Sequence, residues 1–181
     1  MLSTTLLLAA SMVVGQTEEA KTPLQEFGEV FVGSWVIDVT LIADWPGRNK
    51  KQGEKVPGYM KARWLAGHNA ILQEEAAADA TGYIFYNWDT AARQIKWRSA
   101  DSGGVTAEGI LKKKGNNWIW RLTGSMNDGT PWTGEGVWAV QDNGNRLVLE
   151  GECFIGGEKL PTLRDVYTRL TKCHCEGPDE E

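Results

Sequence analysis

Phe31-Val32-Gly33-Ser34-Trp35-Val36-Ile37-Asp38-Val39-Thr40-Leu41 is the stretch that decides the fold. Before Gly33 the apolar residues Leu24, Phe27, Val30 and Phe31 recur at helical spacing, with Gln25, Glu26 and Glu29 between them. Such a stripe predicts a short amphipathic helix. After Gly33 the period becomes two. Trp35, Ile37, Val39 and Leu41 share one face and Val36, Asp38 and Thr40 the other, which is the signature of a strand. Gly33 stands at the junction and reads as the glycine that ends the helix. Thr22-Pro23 reads as its start, with an N-cap hydroxyl and Pro at the first helical position.

The strand pattern continues to the end of the domain. Further strands are predicted at 57–66, 69–77, 81–88, 93–101, 104–113, 117–124, 131–141, 145–154 and 162–170. Turn chemistry separates them: Asp89-Thr90, Asp101-Ser102-Gly103-Gly104, Gly115-Asn116, Asn127-Asp128-Gly129, Asn143-Gly144 and Gly156-Gly157. A meander of about ten short strands would leave exposed edges if flat, and closure removes them. The expected fold is therefore all-β: an antiparallel up-and-down barrel with a short N-terminal helix closing one end.

Composition narrows the function classes. The chain has 181 residues, 41% hydrophobic and 24% charged, with a formal net charge of -5. That suffices for one domain with a core and argues against non-specific nucleic-acid binding, which needs a basic surface. The 9 Trp and 21 Gly are unusual. Both suit a small barrel, where large and small inward residues alternate, and Trp also marks binding surfaces.

Residues 1–15 read as a signal peptide: Leu2 to Val14 is apolar apart from Ser and Thr, and Val13-Val14-Gly15 resembles a cleavage site. No Lys or Arg precedes the apolar run, which is too short to span a membrane. A secreted or periplasmic location is expected, followed by a linker at 16–22, the barrel at 23–171 and a disordered acidic tail at 172–181. Cys153 falls in a strand, whereas Cys173 and Cys175 flank His174 in the tail. In an oxidising compartment Cys153 could bridge to either tail cysteine.

Aromatic residues recur on one face of several strands: Trp64 with Met60 and Ala62, Trp88 with Tyr86 and Ile84, Trp97 with Ile95, and Trp118 with Trp120. Trp132, Gly134, Gly136 and Trp138 also share a face, two indoles flanking two empty positions. That gap is either filled by a neighbouring large side chain or open as the floor of a cleft. The long connection Ala43–Val56 carries Trp45-Pro46-Gly47 and four basic residues, and reads as a solvated loop or a lid led by Trp45. Trp64, Trp88, Trp97, Trp120, Trp132 and Trp138 are the candidate lumen residues, although the same indoles would serve a filled core.

His68 lies in a Gly-His-Asn turn and reads as exposed. Cys173-His174-Cys175 cannot by itself furnish a regular tetrahedral metal site. Glu150 and Glu152 read as outward. Asp165 shares a face with Leu163 and Tyr167 and reads as inward, where it would need a partner such as Arg121 or Arg98. No catalytic triad, metal-ligand spacing or phosphate-cradling loop emerges, so no catalytic residue, metal or cofactor is assigned.

Phe31-Val32-Gly33-Ser34-Trp35, Trp64-Leu65-Ala66-Gly67, Gly82-Tyr83-Ile84-Phe85-Tyr86-Asn87-Trp88-Asp89 and Asp101-Ser102-Gly103-Gly104 together resemble, in order and spacing, motifs of the DUF1579-like bacterial proteins. The resemblance spans residues 24–170 and implies a calycin-like barrel related to lipocalins, fatty-acid-binding proteins and nitrobindins. That family has no established activity. In lipocalin-like barrels an Arg of the last strand packs across the Gly-x-Trp indole. Arg169 is in that place, which implies that Trp35 and Arg169 close the barrel structurally. Nitrobindin-like barrels hold haem through a His near the barrel end, and no His lies within the late strands here.

The leading functional expectation is a barrel binding a small apolar or aromatic molecule in its lumen. One alternative is an enzyme using a lumen acid or base, Asp165 or Glu135. Another is a structural or protein-interaction module.

Overall fold

In the computed structural model, which describes residues 20–44 and 50–170, helix α1 (Pro23–Phe31) starts as expected. Thr22 Oγ1 accepts from the Gln25 N–H, and Gln25 Oε1 accepts from the Thr22 N–H at 2.7 Å. This reciprocal pair satisfies two otherwise orphaned donors. Leu24, Phe27 and Phe31 are each 1% exposed, so the predicted apolar stripe is the buried face.

The helix ends differently from the expectation. Its last residue is Phe31, and Val32 is already extended, its N–H donating to Gly28 O. Gly33 does not form the helix cap; at φ +145° it opens the first strand. A Cβ there would meet the Arg169 guanidinium at 2.5 Å, so close approach of Arg169 is what demands glycine.

Eleven strands follow: β1 (Gly33–Thr40), β2 (Lys55–Trp64), β3 (Ala70–Ala77), β4 (Ala80–Asp89), β5 (Gln94–Asp101), β6 (Thr106–Lys114), β7 (Asn117–Ser125), β8 (Pro131–Gln141), β9 (Arg146–Ile155), β10 (Glu158–Lys159) and β11 (Leu163–Arg169). From β1 to β9 each pairs antiparallel with the next; β11 then pairs with both β9 and β1. Ten strands therefore close into a barrel, as expected, and the two-residue β10 merely folds back on β9. β10 is too short to show a pattern in the sequence. The signal segment 1–15, most of the 16–22 linker, Trp45 and the tail with Cys173, His174 and Cys175 lie outside the described residues.

Helix α1 plugs one end. Phe27 and Phe31 stack at 4.4 Å and contact Tyr86, Trp118 and Trp138 edge-on or tilted, a favourable aromatic geometry. The C-terminal carbonyls of α1 would be orphaned, and no basic residue lies in its last turn. Trp35 Nε1 donates to Phe31 O at 3.0 Å, and Arg169 donates to Val30 O, Val32 O and Gly144 O. The Arg169 guanidinium lies 4.1 Å from the Trp35 ring centroid. Trp35 and Arg169 thus join helix, first strand and last strand, with charge of the sign that the helix C-terminus favours.

One wall, β6 to β9, is pinched. On this wall Trp120 stands opposite Gly136, and its indole covers Gly134, Gly136 and Gly151. A Cβ on Gly136 would come within 2.0 Å of Glu150 O. The empty positions of the Trp132–Trp138 stretch are therefore filled by Trp120, and they are not an open cleft floor.

Candidate ligand-binding cavity

Above the helix plug the lumen is not filled. A cavity of about 310 Å³ is walled by apolar and aromatic side chains from around the barrel, among them Ile37, Ile84, Trp97, Trp120, Trp132 and Trp138. A second hollow of about 200 Å³ adjoins it on the side away from the helix, sharing Leu41, Ile42, Glu75, Ile84, Ser99 and Trp132. The two together form a path from the barrel mouth to a floor of Tyr86, Trp138 and Tyr167. The lumen lies at the small end of ligand sites, which run to roughly 300–1,000 Å³.

Four of the six predicted lumen tryptophans, Trp97, Trp120, Trp132 and Trp138, line this cavity. The other two do not. Trp64 points inward beneath the helix, its indole lying where a side chain on Gly28 would be, and its ring edge meets His68 at 5.4 Å. Trp88 is half-buried at the same end, beyond Tyr86 on β4, and packs on the core. Both belong to the plug because β2 and β4 reach the helix at their ends. The Nε1 atoms of Trp120 and Trp132 are enclosed and have no hydrogen-bond partner among the described residues.

Polar groups interrupt the apolar wall. Tyr86 Oη donates to Gln73 Oε1 at 2.7 Å, and Gln73 Nε2 donates to Glu75 Oε2 at 2.7 Å. Gln73 is 1% exposed. Glu75 is enclosed by the barrel wall, and the surface it retains faces the cavity. Asp165 is 6% exposed and inward, as the alternation predicts. Its partner is not Arg121 or Arg98 but the Thr40 N–H, which donates to Asp165 Oδ1 at 3.0 Å. The β1–β11 ladder ends at Asp38, so this N–H is left free and the Asp165 carboxylate caps it. Arg121 and Arg98 point outward, bonded to Glu135 and Glu108. Glu135 is thereby removed as a lumen acid.

Burial drives the electrostatics. Desolvation pushes the Glu75 carboxyl up to about 7, against the pull of the Gln73 amide and with a further push from Asp165. Desolvation raises Asp165 to about 6, opposed by its bond from Thr40. Burial also raises the Tyr86 and Tyr167 phenols, which stay neutral. Cys153 is a free thiol with no exposed surface, raised by burial; the tail cysteines lie outside the described residues.

Gln73 and Glu75 were not among the residues singled out from the sequence. No signal within β3 marked them, because its two faces are about equally apolar and only cross-strand register turns Ile71, Gln73, Glu75 and Ala77 inward. His68 is exposed on its turn. Glu150 and Glu152 face outward and pair with Arg164 and Lys159. A larger concavity of about 610 Å³ lies over the pinched wall, but exposed Arg–Glu pairs cross it, and such pairs contribute little. Among the described residues no cluster of three or more His, Cys, Asp or Glu could hold a metal ion. Among them no helix is long and apolar enough to cross a membrane.

No family model and no curated protein matches the chain. The solved structure of Rv2717c from M. tuberculosis is similar, with a TM-score of 0.54 at 12% identity over 83% of this chain and 99% of that one. At that identity the likeness is one of fold.

Proposed function

We propose that this protein holds a small, mostly apolar or aromatic molecule in its barrel lumen. The observation that carries the reading is the cavity of about 310 Å³ between the helix plug and the mouth, walled by four indoles. A core packed for stability alone leaves few voids larger than a water molecule, since empty space forfeits contact on every side. The apolar run Leu2–Val14, followed by small residues, supports a secreted or periplasmic setting. The ordered motifs from Phe31 to Gly104 support kinship with the DUF1579-like barrels.

The test is intrinsic tryptophan fluorescence during titration with apolar aromatic probes. Trp97, Trp120, Trp132 and Trp138 touch the cavity, so an occupant should shift or quench emission saturably. Trp132→Phe should remove part of that signal. No saturable change with any probe that fits the lumen would refute the reading.

A further inference from the structure

We propose that the lumen ligand is an organic cation: an ammonium head held by Asp165 and Glu75, on an apolar or aromatic body held by the indoles. This rests on the lumen-binding reading above and specifies its ligand.

The charge inventory of the lumen carries the argument. Asp165, 6% exposed, uses one oxygen on the Thr40 N–H, and its other oxygen has no partner among the described residues. Both Asp165 and Glu75 line the cavity. Glu75 receives one hydrogen bond, from Gln73, and its second oxygen is likewise unpartnered among the described residues. Among the described residues no Lys, Arg or His lines the cavity or the adjoining hollow. Two carboxyls thus face one enclosed space with no cationic side chain among the described residues to neutralise them, an arrangement that is costly when ionised and empty. A cation from outside supplies the missing charge.

The wall selects which cation. Hard metal ions take six or more oxygen ligands, and the lumen offers two carboxyls set among indoles. An ammonium is attracted to both: carboxylates by charge and hydrogen bonds, indole and phenol faces by their quadrupoles. Trp97, Trp120, Trp138, Tyr86 and Tyr167 line the cavity with such rings. The approach has the same sign. Asp44 and Asp101 line the outer hollow with Glu75, and among the described residues the one ion pair there is Asp44 with Lys51. An acidic entrance draws in cations and repels carboxylates.

The experiment uses three probes that differ only in the head: 4-phenylbutylamine, 4-phenylbutan-1-ol and 4-phenylbutanoate, titrated calorimetrically into the full chain at pH 8. The amine should bind at least tenfold tighter than the alcohol, with the carboxylate weakest. Asp165→Asn and Glu75→Gln should each weaken the amine about tenfold and leave the alcohol within threefold. Wild-type protein gives an independent reading, free of any folding defect in the variants. Amine affinity should rise at least tenfold from pH 5 to pH 8 as Asp165 and Glu75 ionise, while alcohol affinity stays within threefold. Among the described residues the other titratable groups facing them are Tyr86 on β4, Asp101 on β5, Tyr167 on β11 and the Cys153 thiol on β9, which burial raises and keeps neutral across this range. The two phenols are neutral throughout, and Asp101 is held by the Gly103 and Val105 N–H groups of its turn. Equal affinity of amine and alcohol, a flat amine profile, or preference for the carboxylate would overturn this inference and leave the lumen-binding reading standing. Binding of none of the three at millimolar concentration would overturn both.

Discussion

Raising the pH from 4.5 to 8 should destabilise the ligand-free protein. Glu75 and Asp165 dominate this window. Their ordinary values are 4.5 and 3.8, and in the folded protein burial raises them to about 7 and about 6. Between those limits the folded state binds more protons than the unfolded chain, so unfolding free energy falls as pH rises. The stabilising contribution is complete below about pH 4 and lost above about pH 7. At about 1.4 kcal/mol per pH unit, each carboxyl accounts for roughly 3 kcal/mol. Part of the Glu75 rise comes from Asp165, so the pair together is worth roughly 4 kcal/mol, less than the sum. Asp44, Asp89 and Asp128 act oppositely, but their lowered values place that effect below about pH 4, outside the window. Urea unfolding at pH 4.5, 6 and 7.5 reads the slope directly. The double variant Asp165→Asn, Glu75→Gln should flatten it and be the more stable protein at pH 8. A wild-type stability that holds constant or rises across the window would refute the reasoning, as would an unchanged slope in the double variant.

Four further outcomes follow from the packing. Arg169→Ala removes three hydrogen bonds to carbonyls and the contact over Trp35, and should cost about 3 kcal/mol in denaturant unfolding, with Arg169→Lys recovering only part. Trp35→Phe keeps the ring and leaves Phe31 O without its donor, for a loss of about 1 kcal/mol by the same measurement. Gly136→Ala drives a Cβ to 2.0 Å from Glu150 O and should cost 3 kcal/mol or more, about the upper range of overpacking, whereas Gly129→Ala meets only its positive φ and should cost about 1 kcal/mol. Cys153, wholly buried with a raised thiol, should resist maleimide labelling in the native protein and react on unfolding, as peptide mapping would show.

What the sequence disclosed and what it withheld divide along one geometric line. Alternation reports which wall a side chain faces, because successive residues of a strand point to opposite sides. Every strand from β1 to β9, and β11, was legible in this way to within two residues. The inward set was correct for Trp97, Trp120, Trp132, Trp138 and Asp165. Alternation does not report height along the barrel axis. Height is set by register, a relation between strands that no single strand encodes. Trp64 and Trp97 have the same inward parity, yet one lies beneath α1 and the other beside the cavity, because the helix sits at the Trp64 end of β2. The Gly134–Gly136 gap looks vacant along β8 and is occupied once β7 is paired, since Trp120 falls opposite Gly136.

The same limit hid the polar cluster. Along β3 the two faces, Ile71-Gln73-Glu75-Ala77 and Leu72-Glu74-Ala76, are about equally apolar, so nothing within the strand names the inner one. The choice is made across strands. Register sets Ile71 opposite Tyr86, Gln73 opposite both Ile84 and Ala62, and Glu75 opposite both Gly82 and Met60, the inward residues of β4 and β2. Burying Leu72 and Glu74 would have turned out Ile71, now 0% exposed, and left the Tyr86 hydroxyl without Gln73. That a Gln and a Glu nonetheless face inward among indoles is a departure from the pattern that packing alone favours. Such departures are expected where a fold carries a site. Glu75 and Asp165 reach the one cavity from opposite sides of the β1–β2 hairpin, β3 and β11 flanking it. A carboxyl from each flank, aimed at the same unfilled space, is therefore the part of this barrel that its stability does not explain.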